Sequence, residues 1–311
     1  MNQNEIIKIS VVLPVFNEEG NLPELYRRLK KVFVEGLKIE SYEFIFVDDF
    51  SKDTSWQIIE SFHNNDPRVK GIKFSRNFGH HIALSAGINI SQGEAVIMMD
   101  SDLQDQPEEI GKLYQKFKEG YDIVYGIRRQ KQHGVFKNLT SLMFNKIMNA
   151  ISDVGINTNV FRIMSRRVVN VFNQFKERDR FITGLISYTG FRELGVEVEH
   201  DERFSGPSKY GLRKMLRLAL NTMTSFSIRP LQLASIVGFF LSFVAFLAII
   251  YLFIMKIFFG SGILGWTSLM VLIIFIGGIQ MLFLGLLGEY IGRILSEVKQ
   301  RPLYVVDQQL S

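Results

Sequence analysis

The sequence predicts an α/β domain built on a doubly wound sheet, followed by a two-helix transmembrane hairpin. Three observations carry this expectation. Short apolar runs alternate with helical patterns through the N-terminal part. Two stretches near the C-terminus, Leu231 to Met255 and Gly265 to Gly288, contain no charge over 25 and 24 residues. The charge balance also changes sign along the chain: 26 basic against 28 acidic residues up to Glu202, then 10 against 3 from Arg203 onward.

The strand candidates are Ile6 to Phe16, Tyr42 to Val47, Val69 to Phe74, Ala95 to Met99 and Ile123 to Tyr125. Each is short and rich in Val, Ile and Phe, as strands buried on both faces are. Helical patterns lie between them at Leu22 to Val34, Thr54 to Asn64, His81 to Ile90 and Pro107 to Glu119. For the last, Asp105 is the expected N-cap, with Pro107 near the start and Glu108 three residues after the cap. Strand and helix in alternation imply ligands at the carboxyl ends of the strands.

Each uncharged run exceeds the roughly 20 residues needed to cross a bilayer core. The nine residues between them are too few for a domain, so the pair is expected as a hairpin. Arg229 precedes the first run and Arg293, Lys299 and Arg301 follow the second, whereas the connection holds only Lys256. That asymmetry places both ends on the cytoplasmic side. Lys209 to Ser225 sets Leu212, Met215, Leu216, Ala219, Leu220 and Met223 at helical spacing, interleaved with Arg213, Lys214 and Arg217, the pattern of an interfacial amphipathic helix. Basic residues next to an apolar run point to anionic lipid and away from nucleic acid. The expected division is therefore 1–208 as a cytoplasmic catalytic domain, 209–228 as a juxtamembrane helix, and 229–311 as the hairpin with a cytoplasmic tail. The first ten residues lead straight into a strand pattern, with no apolar core and cleavage site, so no signal peptide is expected.

With no cysteine, disulfides, thiolate metal ligands and a cysteine nucleophile are excluded. Neither G-x-G-x-x-G after the first strand nor G-x-x-x-x-G-K-[ST] occurs, which argues against dinucleotide and P-loop sites. Polar residues collect instead where three strands end: Pro14-Val15-Phe16-Asn17-Glu18-Glu19, Asp48-Asp49 and Asp100-Ser101-Asp102. Two carboxylates spaced i, i+2 at a sheet rim suit a hard divalent cation shared with a diphosphate, and Mg²⁺ or Mn²⁺ favours such oxygen ligands. His80, His81, His133 and His200 lie in no zinc-like spacing, so surface or supporting roles fit them better.

Together, Asn17-Glu18-Glu19 after a Leu-Pro-Val strand, Val47-Asp48-Asp49, and Asp100-Ser101-Asp102-Leu103-Gln104-Asp105 resemble the motifs of family 2 glycosyltransferases with the GT-A fold. With Arg203, Gly206 and Ser208-Lys209-Tyr210, the chain is similar to the dolichol-phosphate mannose synthase and bactoprenol glucosyltransferase branch. The resemblance runs from about Ile6 to Tyr210, and the two apolar runs extend it over nearly the whole chain. It implies a Rossmann-like mixed sheet and an inverting transfer of one sugar from a nucleotide diphosphate sugar, UDP-glucose before GDP-mannose, to polyprenyl (undecaprenyl) phosphate.

The resemblance also assigns residues. Pro14, Phe16, Asn17, Glu18 and Asp48 match the nucleotide pocket, where Asp48 can accept a base N–H; turn formation is the alternative for Asn17. Asp100, Asp102 and Gln104 match the metal and diphosphate site, with Asp105 favoured as a helix cap. Arg128, Lys137 and Ser141 match the groups around the acceptor phosphate, and Arg203 and Lys209 those closing over the diphosphate. A solvated basic face is the alternative for Arg128. Asp153 is the candidate for a base or a sugar-hydroxyl contact. A phosphate monoester, with its second pKa at about 6, can attack without losing a proton, so a base is not required. Phe50 and Ile163 depart from the family pattern, which bears on the shape of the donor pocket. A processive synthase is disfavoured because Trp occurs only at 56 and 266, leaving no Q-x-x-R-W. A non-catalytic sugar-lipid binding module has no reason to keep the acidic and basic groups together. The expected setting is the inner membrane, multi-pass, and a homo-oligomer is compatible with it.

Overall fold

The computed structural model describes residues 8–128, 159–178, 180–199, 229–259 and 265–311. These fall into two compact units, one comprising residues 8–128, 159–178, 180–199 and 301–311, the other 229–259 and 265–300.

The first unit is an eight-stranded mixed sheet in the order β7-β5-β6-β4-β1-β2-β3-β8. Its strands are β1 (Ile9–Val15), β2 (Tyr42–Asp48), β3 (Val69–Phe74), β4 (Ala95–Met98), β5 (Ile123–Arg128), β6 (Arg162–Ser165), β7 (Glu193–Val198) and β8 (Val306–Leu310). All five strands expected from apolar runs are present. β1, β2, β3 and β4 run parallel, whereas β6 and β8 are antiparallel to their neighbours. Among the described residues, the α-helices of this unit are α1 (Leu22–Lys31), α2 (Ser55–Asn65), α3 (His80–Ile90), α4 (Ile110–Lys118), α5 (Arg166–Phe172) and α6 (Ile182–Tyr188).

β1 and β2 are buried at every position, as their largely apolar sequences favour, with Ser10, Glu43 and Asp48 as the buried polar exceptions. One face gathers Val11, Leu13, Phe44 and Phe46 with Leu22, Leu25 and Leu29 of α1, Trp56 and Ile59 of α2 and Leu113 of α4 into a single core. α3 lies on the opposite face. A Cβ on Gly87 would stand 2.3 Å from Val12 Cγ1 and 3.2 Å from Val47 Cγ2, so only glycine lets this helix approach so closely.

β1 connects to β2 on one side, while the chain returns after β3 to place β4 on the other side of β1. The gap between β1 and β4 is thus the topological switch point, where open α/β sheets bind ligands.

Asp105 does not cap the following helix. A 3-10 turn, Pro107–Glu109, precedes α4, and Gln106 occupies the cap position without a capping hydrogen bond from its side chain. Proline at the first position lacks one of the N–H groups a cap would satisfy, which lessens the need for one. Asp105 is instead buried. β8 was not expected either. Its sequence, Val-Asp-Gln-Gln-Leu, carries no apolar pattern, yet it pairs with β3. It is held by Trp56 Nε1 donating to Gln308 Oε1 at 2.6 Å and by Tyr304 stacked on Phe74 at 5.0 Å.

The second unit contains α7 (Arg229–Phe259), which extends past both ends of the first uncharged run, and α8 (Trp266–Val298), which takes up the second run from Trp266 and extends beyond its end. The two helices come near each other where Gly238 faces Phe283. Among the described residues, Phe275–Val298 is a stretch long and apolar enough to cross a membrane.

Candidate active site

The three acidic strand ends lie together at the carboxyl rim of the sheet. Asp49 N–H donates to Val15 O at 2.9 Å, and Ser101 Oγ donates to Pro14 O at 2.6 Å. The end of β1 is therefore stitched to both the end of β2 and the Asp100-Ser101-Asp102 segment. β5 runs in the same sense as β4, with β6 antiparallel between them, so Arg128 ends at this rim as well.

Asn17 adopts a left-handed backbone, φ 57°, which asparagine tolerates better than most residues. Its N–H donates to Ser51 Oγ at 2.9 Å and its side-chain oxygen accepts from Lys52 N–H at 2.7 Å. Glu18 N–H donates to Ser55 Oγ, and the Glu18 carboxylate accepts from Asn21 Nδ2. Just before them, Phe16 is left 48% exposed, an apolar ring set at a polar rim.

Asp48 is fully buried. Burial pushes its carboxyl pKa up, against the opposing effects of its hydrogen bonds with Ser51 and the charge of Lys73. Asp49, also buried, is raised by burial too, while the N–H groups of Phe78 and Gly79 oppose the shift. Those N–H groups donate to its two oxygens at 2.6 and 2.9 Å. Phe50 follows at φ 66°, where glycine would sit without strain. Its ring carries Lys52 Nζ 3.6 Å from the centroid.

Asp100 and Asp102 are both partly exposed, unlike the buried Ser101 between them. Leu103 is held at φ 62° with its side chain buried. A left-handed leucine costs roughly 1–2 kcal/mol, and such strain collects at functional sites. It turns the chain so that Gln104 N–H donates back to Asp102 Oδ1 at 3.1 Å. His80 Nε2 lies 3.4 Å from Asp100 Oδ1. Burial lowers the imidazole pKa, and the Asp102 carboxylate opposes that.

Arg162, first residue of β6, pairs in register with Met98 at the end of β4 and is fully buried. Burial pushes its guanidinium down to about 10, with Glu193 and Tyr125 opposing. It remains charged at neutral pH and donates to Asn159 O.

The structure thus brings Pro14, Phe16, Asn17, Glu18, Asp48, Asp100, Asp102, Gln104 and the backbone of Arg128 to one rim. Lys137, Ser141, Asp153, Arg203, Lys209 and the amphipathic segment 209–228 lie outside the described residues. Sequence reasoning gave Asp49 and Ser101 no role of their own within the acidic strand ends, and His80 no more than a surface or supporting one. The signal for Asp49 and Ser101 was their place inside the acidic motifs. That for His80 was its position at the start of a helix whose preceding loop leaves a strand end.

Residues 10–176 match the family model for glycosyl transferase family 2, and residues 229–294 match that of the GtrB C-terminal hairpin. The chain belongs to glycosyltransferase family 2 and is a glycosyltransferase. It is 45% identical over 305 residues to the uncharacterized glycosyltransferase YkcC of Bacillus subtilis, covering 97% of this chain and 94% of that one. It is 41% identical over 303 residues to the SfII prophage-derived bactoprenol glucosyl transferase of Shigella flexneri, covering 96% and 97%. In fold, it resembles the crystal structure of mannosyl-3-phosphoglycerate synthase from Rubrobacter xylanophilus, with a TM-score of 0.51, 14% identity, and 72% and 74% of the two chains covered. The sheet is that of the GT-A class.

Proposed function

We propose that the protein transfers a single sugar, with inversion, from a nucleotide diphosphate sugar to polyprenyl phosphate at the inner membrane. The observation that carries this reading is the convergence of Asp48, Asp100 and Asp102 on one rim beside the β1–β4 switch point. Similarity to bactoprenol glucosyl transferases over nearly the whole chain supports the lipid acceptor and favours glucose as the sugar, hence UDP-glucose as the donor. GDP-mannose is the alternative donor.

In this reading Phe16 offers its exposed ring to the base, and Asp48 accepts a base N–H, an arrangement strongest with its carboxylate ionised. Asp100 and Asp102, with Gln104, hold the diphosphate end. Their donor set fits a divalent cation such as Mg²⁺ or Mn²⁺. They are two carboxylates and one amide oxygen, and no cluster of three or more His, Asp or Glu closes on a point among the described residues. That suits an ion held by one or two carboxylates together with substrate phosphates. When bound, the ion neutralises charge developing on the leaving diphosphate.

The acceptor phosphate oxygen attacks the anomeric carbon as the bond from that carbon to the donor's β-phosphate oxygen breaks. The phosphate needs no general base near neutrality. Arg128, Lys137 and Ser141 are proposed to position it, and Arg203 and Lys209 to close over the diphosphate. Asp153 is proposed to contact a sugar hydroxyl.

α7 and α8 are proposed to span the bilayer as a hairpin, with the catalytic domain and both termini cytoplasmic. Large apolar side chains such as Phe239, Phe246, Met281 and Leu284 are exposed along them, as on helices that face lipid. The test is a donor panel: membranes containing the protein, undecaprenyl phosphate, and labelled UDP-glucose, UDP-galactose or GDP-mannose in turn. Label entering the lipid fraction as a one-sugar product from one donor supports the reading. Long polymer, or no lipid product with any donor, overturns it.

A further inference from the structure

The adjacent carboxylates Asp48 and Asp49 do different work. Both oxygens of Asp49 are engaged by the loop after β3, through Phe78 N–H at 2.6 Å and Gly79 N–H at 2.9 Å, while Asn77 Nδ2 donates to the Asp49 carbonyl at 3.1 Å. Gly79 stands at φ 103°, a conformation that side chains resist, and the next residue begins α3. That helix cannot drift, because Gly87 seats it directly on Val12 and Val47. Its first residue, His80, is thereby set with Nε2 3.4 Å from Asp100 Oδ1. On the other side the ring meets His81 edge-on at 5.5 Å, and His81 meets Phe181 at 5.6 Å in the same manner. A short, fixed connection therefore runs from the end of β2, through the loop after β3, to the first carboxylate of the Asp100–Asp102 pair.

We propose that His80 is a positioning residue for the cation site: its imidazole orients the Asp100 carboxylate, and Asp49 holds His80 in place through the Phe78–Gly79 loop. The proposal rests on the reading of Asp100 and Asp102 as the cation-holding pair. Groups that orient metal ligands typically change metal affinity 10- to 100-fold when removed. At 3.4 Å the His80–Asp100 approach is a close polar contact short of hydrogen-bond geometry, and contacts of this kind at catalytic sites tighten into hydrogen bonds in the complex.

The test is Mn²⁺ binding to the full chain in detergent, read from the free-Mn²⁺ electron paramagnetic resonance signal, with thermal unfolding measured on every variant. Wild type is compared with Asp102→Asn, His80→Ala, His80→Gln, Asp49→Asn and the Asp49→Asn/His80→Ala double variant. His80→Ala is expected to weaken Mn²⁺ binding about 10-fold or more at little cost in melting temperature. His80→Gln, which keeps a side-chain N–H donor, is expected to recover most of that loss. The double variant is expected to bind no more weakly than the worse single one, since both act through one contact. Wild-type affinity in His80→Ala, while Asp102→Asn is impaired, overturns the role of His80. An equal loss in His80→Gln and His80→Ala overturns the donor role, and additive losses in the double variant overturn the role of Asp49. Wild type and Asp102→Asn binding alike would instead remove the cation reading itself.

Discussion

The side-chain oxygen of Asn17 accepts the backbone N–H of Lys52 at 2.7 Å, pinning the turn after β1 to the loop after β2. The same Asn17 donates its own N–H to Ser51 Oγ. Phe16 and Asp48, the two groups proposed to meet the base, sit on either side of this pin. Asn17→Ala removes the pin and places alanine at a left-handed backbone position; Asn17→Gly removes the pin alone. A neutral hydrogen bond contributes about 1 kcal/mol, close to fivefold in an equilibrium constant. Nucleotide affinity by calorimetry is expected to fall about fivefold in Asn17→Gly and further in Asn17→Ala. Affinity unchanged in both would show that the turn does not shape the pocket.

Acid pH separates binding from folding at Asp48. Because burial raises its pKa in the folded protein, Asp48 takes up a proton at a higher pH than an ordinary aspartate. Protonation takes the negative charge from the acceptor that meets the base N–H and puts an O–H donor beside it, so nucleotide affinity is expected to weaken on acidification already above the usual aspartate range. The sign for stability is opposite. A carboxyl raised on folding contributes stability that is present at low pH and is lost as pH rises through its folded pKa. Loss of binding in acid is therefore not unfolding driven by this group. Asp48→Asn should bind weakly at every pH and lose this part of the pH dependence. The check is a calorimetric titration series paired with circular dichroism at each pH.

Gly87→Ala tests how α3 is seated. A new Cβ would stand 2.3 Å from Val12 Cγ1, so strand and helix must part. Overpacking of this kind costs about 1–3 kcal/mol. A thermal midpoint lowered by several degrees is expected. An unchanged midpoint would mean that the helix shifts freely over the sheet.

Deleting Val306–Ser311 tests β8. The strand covers the edge of β3, and Leu310 rests against Gly71. Its removal uncovers a hydrogen-bonding edge and takes away the partner of Trp56 Nε1. The truncated protein is expected to aggregate more readily and to be cleaved sooner near β3 in limited proteolysis. Identical cleavage kinetics would show that the strand is dispensable.

How much of this was legible in the sequence depended on burial. β1 to β4 are buried along nearly their whole length, so their apolar runs announced them within a residue or two, apart from the early start read for β1 at Ile6. β8 is exposed and polar, so nothing marked it. β6 opens on Arg162, whose complete burial contradicts what an arginine usually signals. The acidic strand ends were readable as a group because three strands end in carboxylates. Their separate duties were not. Whether a carboxylate faces a ligand or, like Asp49, is filled by backbone N–H groups depends on a loop 29 residues away in sequence. The Asp105 cap failed for a local reason, since Pro107 opens a 3-10 turn in place of an α-helix.

The most direct measurement is transfer by the purified full chain in detergent, with UDP-[¹⁴C]glucose and undecaprenyl phosphate, followed by mass spectrometry of the extracted lipid. The account predicts one hexose per lipid phosphate, formed with Mg²⁺ or Mn²⁺, abolished by a chelator and restored by adding the ion back. Asp102→Asn is expected to lower the rate at least 100-fold, in keeping with the order of 10²–10³ lost when one group that stabilises developing charge is removed. Undiminished transfer by Asp102→Asn, or full activity in the chelator, would contradict it.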